Sequence, residues 1–399
     1  MIEILELAFL GVGAGVVAGL LPGIHPNTFT SLLLPVMTPL VATFTAPAVV
    51  VFIVTMAIAN TFVSFLPAVF LGAPEGESAL SVLPGHRLLL QGSGHEAVLL
   101  AVAGGVGVVL LSLATLWLLF PLLPFLYAQV QAYLSFLLLG VAVLMIAGER
   151  HRCAALVVFM LAGVLGLLSF RAPFASAFVL FPIFTGLFGT STLLLSSKAA
   201  PPPQRHGPVR LPRGLLLAGV GKGFLSGVVV GVLPAVGPSQ AGVLVHQATR
   251  SQGGREFLVS LGGITTVSTL FSLLSLYLIN KPRSGAAIAV QQVIGAVGWE
   301  EMLLILAAAV FATGAGAGLT IGLSHRFAGL VTRVPYPKLS WAMIACLVAL
   351  TVALTGWQGL LLLLTATAIG LLPPFWGVKR THTMGVLMVP VILLSFGLA

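Results

Sequence analysis

Aspartate is absent from this chain, and glutamate occurs only nine times in 399 residues. Charged side chains make up 7% of the sequence, against about 25% in an ordinary soluble domain. So few charges cannot cover the surface of a water-soluble fold of this size. Cysteine occurs twice, as Cys153 and Cys346, which excludes a disulfide framework and a cysteine metal site. Both lie in apolar runs and are expected to be buried as small hydrophobes. No nucleophile–base or metal-ligand spacing stands out. The net charge of +9 does not signal a nucleic-acid partner, because the few cations lie between apolar segments, where they set membrane orientation. The N-terminal "MIEILEL" is acidic and has no small-residue cleavage site, so no signal peptide is expected.

What fills the chain instead is hydrophobic residues, 58% of the total. Apolar stretches of about 20 residues recur, as at 101–123, 128–147, 302–323 and 341–355, and read as transmembrane helices. The fold class is all-α and polytopic, in contact with membrane lipid.

The chain repeats itself. Gly11, Gly15, Gly19, Pro22 and Pro26 recur as Gly223, Gly227, Gly231, Pro234 and Pro238, each 212 residues on. Downstream, "TFVSFLPAVFLGAPEGESAL" (61–80) echoes "TLFSLLSLYLINKPRSGAAI" (269–288), pairing Thr61 with Thr269, Ser64 with Ser272 and Pro74 with Pro282. "GHEA" (94–97) echoes "GWEE" (298–301), and Pro182 echoes Pro390. The expected halves are 1–195 and 214–399, joined by a basic, proline-rich linker over 196–213.

Lys198, Arg205 and Arg210 place linker 196–212 in the cytoplasm. Counting spans outward puts Arg87, Arg150, Arg255, Arg326 and Lys379 inside. Glu3, Glu6, Glu300 and Glu301 fall outside, as do both termini. Arg171, Lys281 and Arg283 run against this pattern. Matched loops land on opposite faces, so the repeats are expected to be inverted, each with a broken-helix hairpin and about five full spans.

The hairpins are expected over 5–43 and 215–252. Lys222 precedes Pro234 by 12 residues, and Arg250 follows Pro238 by 12. Twelve helical residues rise roughly 18 Å, about half of a 30 Å hydrocarbon core, so this hairpin should dip to mid-membrane. The prolines end the helix, and non-helical backbone at that depth requires a protected cavity. The candidate substrate site is therefore Pro22, Gly23, His25, Pro26, Asn27 and Thr28 together with Pro234, Ala235, Gly237, Pro238, Ser239 and Gln240. Helix N-termini at Asn27 and Ser239 would face an anion. Carbonyls near the same two residues could hold Na⁺. His25 is either a packing residue or a proton carrier. A second break pairs Pro74, Glu75, Glu77 and Ser78 with Pro282, Arg283 and Ser284, either as loop charges or as a gate. Glu96 and Glu300 sit at helix starts, where a carboxylate suits the dipole.

With "LPGIHP" (21–26), "LPAVGP" (233–238) and "GAPEGESALSVLPGHRLLLQGSGHEA" (72–97), the chain resembles the large membrane subunit of the tripartite tricarboxylate transporter family. His25 stands where that pattern has its second glycine. "NTFVSFLPAV" (60–69) replaces the family's Tyr-Gly-Gly-Ser-like stretch. The resemblance implies a permease for a small organic anion of the carboxylate class, working by alternating access. It needs no cofactor beyond a coupling ion, Na⁺ or H⁺. It implies a small membrane subunit and an extracytoplasmic binding protein as partners, in the plasma membrane. A stand-alone permease and a homodimer are the alternative assemblies. The rival classes are a membrane-embedded enzyme and a channel.

Overall fold

The computed structural model describes residues 2–21, 40–70, 82–131, 133–171, 179–195, 202–204, 211–232, 241–242, 245–246, 253–330 and 336–398, with single residues 209, 238 and 249. Every regular element among them is helical. The first half holds α1 (Ile2–Leu20), α2 (Ala46–Val63), α3 (Phe65–Phe70), α4 (Val82–Leu90), α5 (Gly94–Ala114), α6 (Leu116–Gln131), α7 (Leu134–Ala147), α8 (Arg152–Arg171) and α9 (Leu180–Leu195). The second holds α10 (Arg213–Val232), α11 (Gly254–Ile279), α12 (Gly285–Ile294), α13 (Trp299–Leu330), α14 (Tyr336–Trp376) and α15 (Gly385–Ser395). Among the described residues, eight helices are long and apolar enough to cross a membrane. The number is nine if α6 and α7, bent by 89°, form one broken span. This count takes α14 once and leaves out α9, α12 and α15, which are apolar but short.

Local chemistry sets the boundaries. Pro47 occupies the first turn of α2, where its missing N–H costs nothing. The Glu3 carboxylate accepts from the Thr45 backbone N–H at 2.9 Å and its hydroxyl at 3.1 Å, so α1 caps the start of α2. Ser284 caps α12 by accepting from the Ala287 N–H at 3.3 Å. The 41 residues of α14 would rise about 60 Å, twice a bilayer core. Gly356, at φ 68°, breaks them into two spans in a backbone region that favours glycine.

Two bundles form. In the first, α2 and α11 are almost wholly buried and are surrounded by α1, α5, α10 and α13. In the second, α8, α9, α14 and α15 pack together, with α7 alongside. The pairings are matched across the halves. As α1 packs on α2, so α10 packs on α11; as α5 packs on α11, so α13 packs on α2; as α8 packs on α15, so α14 packs on α9.

Two expectations are corrected. Cys153 and Cys346 are exposed, on faces of α8 and α14 that no other helix covers among the described residues. An apolar run places a residue in a span but does not say which side of the helix meets protein. Lys222 does not begin the arm of the second hairpin. The helix starts nine residues earlier, at Arg213. Lys222 is neutralised by Glu256 of α11, so it can lie ten residues into a span instead of at its surface.

Candidate functional site

The glycines at spacing four determine where the hairpins sit. A Cβ on Gly11 would lie 2.5 Å from the Phe52 carbonyl oxygen, and one on Gly15 would lie 2.4 Å from that of Met56. One on Gly19 would lie 2.8 Å from Val63 Cβ and 3.0 Å from Ser64 N. Only glycine permits α1 to approach α2 this closely. The second half repeats the contact: Gly223 faces Ser260, Gly227 faces Val267 and Gly231 faces Phe271 of α11. The registers agree, since Gly15 meets Ala59 where Gly227 meets Val267, and Gly19 meets Val63 where Gly231 meets Phe271.

These ladders end beside buried serines. Ser64 stands beside Gly19, three residues before Pro22. Ser272 follows Phe271, which stands beside Gly231, three residues before Pro234. Gly231 lies level with a point about eight residues, roughly 12 Å, before the end of α11 at Ile279. The Ser226 hydroxyl donates to the Ala241 carbonyl at 3.5 Å. The described residues next to both expected turns meet the second bundle. Leu21 packs near Phe181, Leu193 and Leu347, and Ala241 packs with Leu138, Met388 and Val389.

Beside the turns, α2 and α11 carry hydroxyls and an amide in the most buried part of the molecule. Asn60, Thr61 and Ser64 face the interior from α2, and Thr265, Thr266, Ser268, Ser272 and Ser275 from α11. The Thr61 and Thr266 hydroxyl oxygens meet at 3.1 Å and join the two helices. Most of the others bond within their own helix, as Thr265 does to the Leu261 carbonyl at 2.7 Å. Asn60 Oδ1, Ser64 Oγ, Ser260 Oγ and Thr320 Oγ1 are buried without a hydrogen-bond partner among the described residues. Orphaned oxygens in a sealed interior cost about 1–3 kcal/mol each, which a ligand or ion could recover. Pro67 adds another acceptor, because it has no N–H for the Val63 carbonyl.

Most of the residues singled out from sequence lie outside the described residues. These are Pro22, Gly23, His25, Pro26, Asn27 and Thr28; Ala235, Gly237, Ser239 and Gln240 with Pro234; and Pro74, Glu75, Glu77 and Ser78. Pro238 is described and is buried. Of the second break, the copy at 279–288 is described. Asn280 ends α11 at φ 49°, Ser284 starts α12, and the Ser272 hydroxyl donates to that of Ser284 at 2.8 Å. Arg283 lies over the Tyr127 ring, 5.0 Å from its centroid. Its Nε and Nη1 are buried without a hydrogen-bond partner. Glu96 is in the first turn of α5, as expected, and is also ion-paired with Arg255 at 2.7 Å. Sequence reasoning missed Asn60, Ser64 and Thr320. The signal was there for the first two: "NTFVS" is a polar interruption in an apolar run, with an echo at Thr269 and Ser272.

Eight or nine apolar spans around a buried polar seam define a multi-pass helical membrane protein. The chain belongs to the tripartite tricarboxylate transporter TctA family, whose model matches residues 5–385. This is a family of transporters and not of enzymes; its members form the large subunit of a system that also has a small subunit and a binding protein. The chain is similar to the uncharacterized protein MJ1079 of Methanocaldococcus jannaschii, with 30% identity over 252 residues, 60% of this chain and 61% of that protein. The match thus spans about three fifths of that relative's length. No solved structure matches the chain.

Proposed function

We propose that the chain is the translocating permease for a small organic anion of the carboxylate class, working by alternating access between two inverted halves. The observation that carries this reading is the buried polar seam where the two glycine ladders end. Gly19 meets Ser64, and Gly231 meets Phe271 next to Ser272; both serines are buried. Buried hydroxyls at the boundary of two bundles, next to two expected helix breaks, suit a substrate site. The half-helix N-termini after Pro26 and Pro238 would hold the carboxylate, and Asn27, Thr28, Ser239 and Gln240 would set specificity as neutral donors. Asn60 Oδ1 and Ser64 Oγ extend the site with acceptors suited to a hydroxyl of the substrate or to Na⁺. Glu75, Glu77 and Arg283 would gate it. In the plasma membrane, with linker 196–212 cytoplasmic and both termini outside, the chain would receive substrate from a binding protein and dock a small membrane subunit.

Counterflow in proteoliposomes tests the reading. Labelled citrate or succinate should exchange for unlabelled solute inside; a channel would conduct without exchange, and an enzyme would do neither. Asn27→Ala or Ser239→Ala should weaken substrate binding by about 10- to 150-fold, the equivalent of roughly 1.5–3 kcal/mol for one hydrogen bond to a charged group. Wild-type affinity in both variants would place the site elsewhere.

A further inference from the structure

Lys222 and Glu256 form an ion pair between α10 and α11. The return arm of the second hairpin brings His246 to the same place, its ring packed edge-on against Phe257 at 4.8 Å between centroids. His246 is 8% exposed, and its Nε2 has no hydrogen-bond partner among the described residues. A ring nitrogen sealed from water without a partner is unfavourable unless another state of the protein provides one. The charges facing it from the neighbouring helices are Lys222 of α10 and Glu256 of α11. Arg255, next in line, is held by Glu96 of α5 at 2.7 Å.

We propose that His246 is the proton-binding site that couples transport to a proton gradient. The proposal rests on the permease reading above. With the imidazole neutral, Lys222 and Glu256 cancel and the cluster carries no net charge. A proton from the aqueous phase adds to the lone pair of the ring; one N–H bond forms and nothing else breaks. The imidazolium then competes with Lys222 for the Glu256 carboxylate, and the cluster carries one positive charge. Such a charge inside a span is costly unless an opposite charge travels with it. The carboxylate of the transported anion supplies that charge. Proton and anion therefore load together, and departure of the anion drives release of the proton. His246 follows Gln240 by six residues in sequence, which links the proton site to the proposed substrate residues along the chain.

The test uses full-length protein in proteoliposomes with the membrane potential clamped and labelled citrate and succinate as probes. Wild-type protein should accumulate label when the outside is more acidic. A gradient of about one pH unit sustains up to about tenfold accumulation at one proton per anion, since one pH unit and a tenfold ratio are each about 1.4 kcal/mol. His246→Gln should lose this accumulation and level off near onefold while still exchanging label in counterflow. His246→Asn provides a second variant of different shape. Uptake by the wild type should also make a weakly buffered medium more alkaline. Counterflow without acid-driven accumulation in the wild type overturns the proposal and leaves the permease intact. Tenfold accumulation in either variant also overturns it. Absence of counterflow in the wild type overturns the permease reading itself.

Discussion

Glycines in this protein do opposite things according to the face they occupy. A Cβ on Gly104 of α5 would lie 1.8 Å from the Val259 carbonyl oxygen, and one on Gly262 of α11 would lie 2.0 Å from that of Ala101. Gly13 of α1 meets nothing within 4 Å. Gly104→Ala should therefore force α5 and α11 apart, with an overpacking cost of about 1–3 kcal/mol. Gly13→Ala should be neutral or stabilising by up to about 1 kcal/mol, because glycine is the poorer helix former. Thermal unfolding of the purified variants in detergent compares them directly; equal melting temperatures would contradict the packing. The spacing of Gly11, Gly15 and Gly19 was legible as a flat helix face. That α2 receives it, or that Gly104 and Gly262 cross at backbone contact, was not, because spacing names a face and not its partner.

At the scale of elements, the duplicated glycine ladder was the most legible feature, because three glycines recur at one offset and each set packs on a neighbouring helix. The arm length was not legible. Charge alone put Lys222 at the membrane surface, and only the approach of Glu256, 34 residues away, lets it lie deeper. The polar seam was half legible: Asn60 and Ser64 are conspicuous in sequence, while Thr320 becomes notable only once α13 is laid against α2. The break after α11 gives a test at this scale. Ser284 both caps α12 and accepts from Ser272, so Ser284→Ala removes two bonds. A loss of about 0.5–2 kcal/mol is expected from the cap, with Ser284→Asn or Ser284→Asp retaining most of it. Unchanged stability in Ser284→Ala, measured by thermal or denaturant unfolding, would show that the break is held by other contacts.

For the whole molecule, composition settled the membrane class, and the repeat anticipated matched pairings across the halves. Two bundles could not be read in advance, because hydropathy does not tell a helix that faces protein from one that faces lipid. The linker is also more than a tether. Gln204 accepts from the Gly94 N–H at 2.9 Å and donates to the Leu89 carbonyl at 3.1 Å, tying the linker to the junction of α4 and α5. Arg87 lies in that same region, and both segments were assigned to the cytoplasm by charge. The inverted arrangement predicts opposite sides for residues 205 and 399. With Cys153 and Cys346 first changed to serine, since both are exposed, an impermeant maleimide should label Ala399→Cys in intact cells and leave Arg205→Cys unlabelled. Equal labelling of the two would sink the topology.

The glycine seams carry a mechanical consequence. Where α1 lies on α2, Gly11 and Gly15 rest on backbone carbonyls; where α10 lies on α11, Gly227 and Gly231 are pressed against the side chains of Val267 and Phe271. The helices α1 and α2, and likewise α10 and α11, are in effect single castings. Under the proposed alternating access, rocking would find its bearings elsewhere, at the elbow between α6 and α7 or at Gly356. The castings would then turn as whole pieces, and each glycine ladder would keep its register through the cycle.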